Sequence, residues 1–107
     1  MIEIVRYRTR DGREPYTDWI RGLRDGVARI RIAARLRQIE AGNFGDCKPV
    51  GDGITELRIH VGAGYRVYCG LQGGVLVVLL CAGDKGSQAK DIVHAKDFWA
   101  DWKRRRV

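Results

Sequence analysis

Between residues 54 and 83 the chain carries three strand signals in quick succession, "ITELRIHV", "YRVYCGL" and "VLVVLLCAG", separated only by "GAG" and "QGG". Connections this short are hairpin connections, because a parallel pair needs a crossover of a dozen residues or more. The segment is therefore expected to form an antiparallel meander. The last of the three runs is continuously apolar, which places it at the centre of the sheet with both faces covered.

Strand side chains alternate with period two, so the residues of each run can be sorted by face. Thr55, Leu57, Ile59 and Val61 share one face, and Ile54, Glu56, Arg58 and His60 share the other. In the next run Tyr65, Val67, Cys69 and Leu71 are the apolar set, with Arg66 and Tyr68 opposite. Two adjacent strands thus present Glu56, Arg58, His60, Arg66 and Tyr68 on a common side. Helices are expected to cover the apolar side and leave this one at least partly open. The loop in "CAGDKGSQ" brings Asp84 and Lys85 to the rim of that surface. Taken alone, Glu56, Arg58 and Arg66 read as an exposed cross-strand ion-pair set worth about 0.2–1 kcal/mol per pair.

The remaining elements follow from periodicity. "IEIVRY" reads as a first strand, and "RDGREP" turns the chain with Pro15 at a first helical position. Tyr16, Trp19, Ile20 and Leu23 give a short amphipathic helix. A second helix is expected from about Val27 to Ala41, with two apolar stripes: Ile32, Leu36 and Ile39, and Val27, Ile30 and Ala34. Two stripes imply two packing partners, the first helix and the sheet. Arg24, Arg31 and Arg35 fill the remaining face, either solvated or a basic stripe for RNA or a protein partner. "AGNFGDCKPVGDG" reads as a Gly-rich loop carrying Lys48, without a phosphate-loop pattern. A third helix is expected from Ser87 as N-cap to about Lys103, with Ile92, Ala95, Trp99 and Trp102 on one side and His94 an ordinary surface or core-edge residue. The tail "KRRRV" is expected to be loose and solvated.

The 107 residues make one domain, residues 1–107, of the α+β class: a small four-stranded sheet, antiparallel and mixed with the N-terminal strand, an N-terminal helical hairpin packed on one face, and a C-terminal helix. No apolar run approaches the roughly 20 residues of a membrane span, and "MIEIVRYR" is no signal peptide, so a cytoplasmic protein with no membrane association is expected. Cys47, Cys69 and Cys81 are odd in number and lack ligand spacing, which argues against a disulfide framework and a zinc site; no cofactor is expected. Cys69 and Cys81 read as small buried hydrophobes. Twenty Lys and Arg against thirteen Asp and Glu give a formal charge of +7, a field that attracts nucleic acid or acidic proteins.

The blocks "GD.KPVG.G..ELRIH.G.GYRVY" and "LLC.GDK.SQ", preceded by a "W...L.D" lead-in, resemble the RelE/HigB superfamily of bacterial toxins, in its phage-derived, Gp49-like addiction-module killer branch. The likeness runs from Tyr16 to about Lys96. It implies a small antiparallel sheet flanked by two N-terminal helices, and an endoribonuclease that cleaves mRNA, commonly on the translating ribosome, without a metal. It further implies a cognate antitoxin, in this branch often a small helix-turn-helix protein, with operator DNA bound only through the toxin–antitoxin complex. Transesterification at a ribose needs a group to take the 2′-hydroxyl proton, cations for the phosphorane and an acid for the leaving 5′-oxygen. Arg58 and Arg66 suit the phosphate oxygens. Lys85 adds a point charge or a proton, Glu56 or His60 serves as base, and Tyr68 stacks on a base or donates to phosphate. Lys48, Arg31 and Arg35 are further RNA-contact candidates. Lys48 resembles the Lys-rich approach to the second strand common in ribosome-dependent members. Two other readings share the fold or the charge: a ParE-like toxin that binds DNA gyrase without nuclease chemistry, and a nonenzymatic nucleic-acid-binding module.

Overall fold

The computed structural model describes residues 1–105. Its elements are β1 (Glu3–Arg6), α1 (Pro15–Gly22), α2 (Gly26–Glu40), β2 (Cys47–Gly51), β3 (Ile54–Ile59), β4 (Tyr65–Gln72), β5 (Leu76–Gly83), a single 3₁₀ turn (Lys85–Ser87) and α3 (Gln88–Arg105). The strands form one mixed sheet in the order β1-β5-β4-β3-β2, with β1 parallel to β5 and the other pairs antiparallel.

The sheet has five strands where four were expected. The extra one, β2, comes from the segment read as a Gly-rich loop. Asp52 and Gly53 both take positive φ, 56° and 82°, and form the tight link between β2 and β3. Pro49 cannot donate to a ladder, which confines β2 to the edge it occupies. As expected, β5 is interior, with Val77 and Leu79 turned to one face and Val78 and Leu80 to the other.

Each face carries its own apolar layer. On one, Tyr16, Trp19 and Ile20 of α1 and Ile32, Leu36 and Ile39 of α2 pack over Leu57, Ile59, Val67, Cys69, Val77 and Leu79. On the other, Ala95, Phe98 and Trp99 of α3 pack over Ile54, Tyr68, Val78 and Leu80. Each fully buried aliphatic side chain contributes roughly 1.5–3 kcal/mol relative to exposure. In α2 only one of the two stripes finds a partner: Ile32 and Ile39 are buried, whereas Val27 and Ile30 stay 58% and 71% exposed. The expectation that the second stripe packs is thereby corrected. The Asp25 side chain accepts from Ala28 N at 3.0 Å and starts α2 one residue earlier than periodicity suggested.

A register shift between β4 and β5 decides where the chain emerges next to the cationic residues. Cys69 pairs with Leu79 but Tyr68 pairs with Cys81, so Leu80 is an extra residue in β5. Leu80 and Cys81 consequently both face α3, and the strand twists into the 3₁₀ turn. Asp84 caps that turn, its carboxylate accepting from Ser87 N at 3.1 Å, and α3 begins at Gln88, directly after Ser87, the residue expected to precede it. α3 then continues past Lys103 to Arg105, farther than expected; Arg106 and Val107 of the expected loose tail lie outside the described residues.

The approach of α3 is close enough to forbid side chains beneath it. A Cβ on Gly70 would lie 2.5 Å from Trp99 ring carbons, and one on Gly83 would lie 1.9 Å from Asp91 Oδ2. Farther along α3, the Tyr7 hydroxyl donates to Asp101 at 2.6 Å and ties the C-terminal half of the helix to the segment after β1.

Two predictions follow from this packing. Gly70→Ala should lower unfolding free energy by about 1–3 kcal/mol through overpacking and Trp99→Ala by about 3–5 kcal/mol through cavity formation, with the double variant losing less than the sum in urea titrations. Burial pushes the Cys69 and Cys81 thiols each up to about 12, whereas Cys47 is exposed. Titration with an aromatic disulfide should therefore find one fast thiol in the native protein and all three after denaturation.

Candidate functional site

At the end of the meander, Arg58 of β3 and Arg66 of β4 are direct register partners, and Arg66 is in turn paired with Gly83 of β5. Period-two alternation puts both guanidinium groups on the α3 side of the sheet. Like charges directly opposite one another in a ladder are destabilising, so this row needs an anion. One row inward, Glu56 pairs with Tyr68, and both are fully buried, at 1% and 0% exposure.

Glu56 is the anchor of the site. Its Oε2 accepts from the Tyr68 hydroxyl at 3.1 Å and from Gln88 Nε2 at 2.8 Å, and lies 3.5 Å from Arg66 Nε in an ion pair. The carboxylate thus joins β3, β4 and the first residue of α3. Arg66 is fixed from its other end as well, with Nη1 donating to Gly64 O at 2.9 Å. The surface expected to be open is covered over this inner row because α3 lies on it. Glu56, expected as a base candidate, is instead buried, with Oε2 engaged by Tyr68, Gln88 and Arg66, which makes it a positioning carboxylate. Tyr68 is corrected likewise: burial first, then the Glu56 charge, push its phenol up, and a ring under α3 presents no face for stacking.

The outer row remains accessible. Arg58, His60, Arg66 and Lys85 line a cavity of about 320 Å³, walled also by Gly62, Gly64 and Tyr65. Among the described residues lining it, none is acidic. Lys85 stands exposed at the rim, on the turn that leads into α3, as the sequence placed it. Arg58 Nη2 meets Asp46 Oδ1 at 3.2 Å, and His60 Nε2 meets Asp46 Oδ2. The hydrogen bond from His60, then the Arg58 charge, hold the Asp46 carboxyl below the usual carboxylate range. Nε of Arg58 and Nε of Arg66 are both buried without a hydrogen-bond partner.

A second cavity, about 470 Å³, lies between α2 and β3 and shares Arg58, Ile59 and His60 with the first. Arg31 is exposed on its wall. Arg35, expected to face RNA, is instead committed to structure: its guanidinium donates to Phe44 O at 2.9 Å, to Arg58 O at 2.8 Å and to Asp46 O. Lys48 is exposed on β2 opposite Glu56 in the register, outside both cavities. Sequence reasoning missed Asp46 and Gln88. Asp46 lies in a segment without periodicity, and Gln88 reads as any polar first-turn residue.

Fold and site together define a compact α+β domain with a cationic cleft at the open end of its meander. The chain belongs to the same family as an uncharacterized protein of Haemophilus influenzae, with which it shares 53% identity over 81 residues, 76% of this chain and 82% of that protein. No family model matches the chain, and no solved structure matches it. Among the described residues, no helix is long and apolar enough to cross a membrane.

The assignment of Glu56 as a structural anchor is testable by stability. Glu56→Ala leaves Arg66, its side chain 13% exposed, without its buried partner and should cost about 3 kcal/mol, whereas Lys85→Ala at the exposed rim should stay within about 0.5 kcal/mol; thermal and urea unfolding separate the two.

Proposed function

We propose that the protein is an RNA-cleaving toxin of a toxin–antitoxin pair, an endoribonuclease of the RelE/HigB kind that cleaves mRNA on the translating ribosome without a metal and is held inactive in the cytoplasm by a cognate antitoxin, a small helix-turn-helix protein. The observation that carries this reading is the Arg58–Arg66 row, two guanidinium groups set side by side on a rigid ladder and facing a cavity whose described lining contains His60 and Lys85 but no acid. The sequence resemblance supplies the toxin class, and the geometry supplies a site suited to its chemistry.

In this mechanism a phosphodiester lies across the row, its nonbridging oxygens held by Arg58 and Arg66. His60 takes the 2′-hydroxyl proton as the 2′-oxygen bonds to phosphorus. The bond from phosphorus to the 5′-oxygen then breaks, and that oxygen takes a proton from the imidazolium or from Lys85. The products are a 2′,3′-cyclic phosphate and a 5′-hydroxyl. Glu56 acts through Arg66, whose direction it fixes, and the backbone of β3 and β4 keeps the two arginines in register at no cost at the moment of reaction. Arg31 is exposed on the adjoining groove, where flanking RNA phosphates can reach it.

Mapping of 5′ ends on a defined mRNA, with and without translating ribosomes, tests the proposal. New ends bearing 5′-hydroxyls should appear with ribosomes and fall by at least about 100-fold in Arg66→Lys and Lys85→Ala proteins that remain folded. Ends formed equally without ribosomes would remove the translational step and keep the nuclease. Intact mRNA throughout, beside an active control, would overturn the nuclease.

A further inference from the structure

We infer that Asp46 is a positioning residue for His60, holding its imidazole by Nε2 so that Nδ1 is the nitrogen that exchanges protons with the substrate. The inference rests on the ribonuclease reading and deepens it.

Asp46 divides its two carboxylate oxygens between the site's residues, Oδ1 to Arg58 Nη2 at 3.2 Å and Oδ2 to His60 Nε2. An ionised carboxylate only accepts, so Nε2 must carry the hydrogen. In the neutral ring the lone pair then sits on Nδ1, and that atom alone can take the 2′-hydroxyl proton. The same bond supports the imidazolium once that proton has arrived. An acceptor that fixes the tautomer and orientation of a histidine is what an imidazole on an exposed strand end otherwise lacks.

Asp46 is itself held in place. Its backbone oxygen accepts from Arg58 N at 3.0 Å and from the Arg35 guanidinium, which also clasps Phe44 O. Arg35 thereby stiffens the loop that presents the carboxylate, a use for a helix-face arginine that charge patterning did not suggest. Besides the dyad, the charged residues lining the two cavities are Arg31 and Arg35 from α2, Arg58 from β3, Arg66 from β4 and Lys85 from the turn; Glu56 lies against Arg66, and Asp25 and Asp84 act on the Tyr65 wall. Among the described residues lining the two cavities, Asp46 is the only acid. Its side chain is 42% exposed, so its replacement can be made without opening the core.

The test has two readouts on the full chain. Nitrogen-detected NMR of the ring, assigned with His60→Gln, should show only the Nε2–H form of neutral His60 in the unmodified protein, a mixture of both tautomers in Asp46→Ala, and the Nε2–H form restored in Asp46→Glu. In cleavage assays Asp46→Ala should lower kcat by about 100-fold with KM little changed, and should have no further effect in a His60→Gln background. A His60 tautomer indifferent to Asp46→Ala would overturn the inference, and so would an equal kcat loss with and without His60. Because the NMR readout needs no RNA, an Asp46-dependent tautomer in a protein that cleaves nothing would uphold the dyad and reject the nuclease.

Discussion

A single buried carboxylate organises this molecule. Glu56 is 1% exposed in the middle of a sheet face, where an unpaired charge costs several kcal/mol. It is tolerated because Tyr68, Gln88 and Arg66 converge on it from β4 and α3. The convergence fixes three things at once: where α3 begins, how far Tyr68 sinks beneath it, and which way the Arg66 guanidinium points. The glycines that admit the helix belong to the same constraint. α3 can lie this close only because Gly83 and Gly70 offer no Cβ to Asp91 and Trp99.

The inner row being pinned, the outer row inherits its geometry. Arg58 lies two residues after Glu56 on β3, and Arg66 two residues before Tyr68 on the antiparallel β4, so the pair emerges where the cover of α3 ends. Leu80, the extra residue of β5, turns the strand so that Asp84 and Lys85 arrive at the same end. Three neighbouring strands therefore deliver their cationic residues to one place through backbone hydrogen bonding, with no flexible loop needed to aim the arginines.

The faces of β3 and β4 were legible in the sequence because half-buried strands write alternation directly into residue type, and the central place of β5 was legible from its unbroken apolar run. β2 was not, because an edge strand with Cys47, Lys48 and Pro49 exposed carries no alternation, although the Asp52–Gly53 pair before Ile54 was a hairpin signal. The coverage of the polar face was missed for a related reason. Placing α3 required knowing that Gly70 leaves room for Trp99 and that Glu56 accepts from Gln88, and both are pairings between distant segments that periodicity does not encode. Arg35 shows the limit most clearly: by charge pattern it matches Arg31, yet one clasps three carbonyls and the other is exposed to solvent.

That contrast also separates the overall field of the protein from the charge its cleft can use. The formal +7 draws polyanions from a distance, but Arg35 spends its donors inside the fold. At the cleft the balance is different. Arg58 and Arg66 each keep a buried Nε without a hydrogen-bond partner, and a buried donor left unsatisfied costs about 1–3 kcal/mol. The Glu56 carboxylate lies 3.5 Å from Arg66 Nε and the Asp46 carboxylate 3.2 Å from Arg58 Nη2, so each guanidinium already has one acid beside it. On the proposed function, a phosphate bridging the Arg58–Arg66 row would offset the remaining repulsion between the paired guanidinium groups, and the rest of a bound chain would meet the weaker, screened attraction of the surrounding surface.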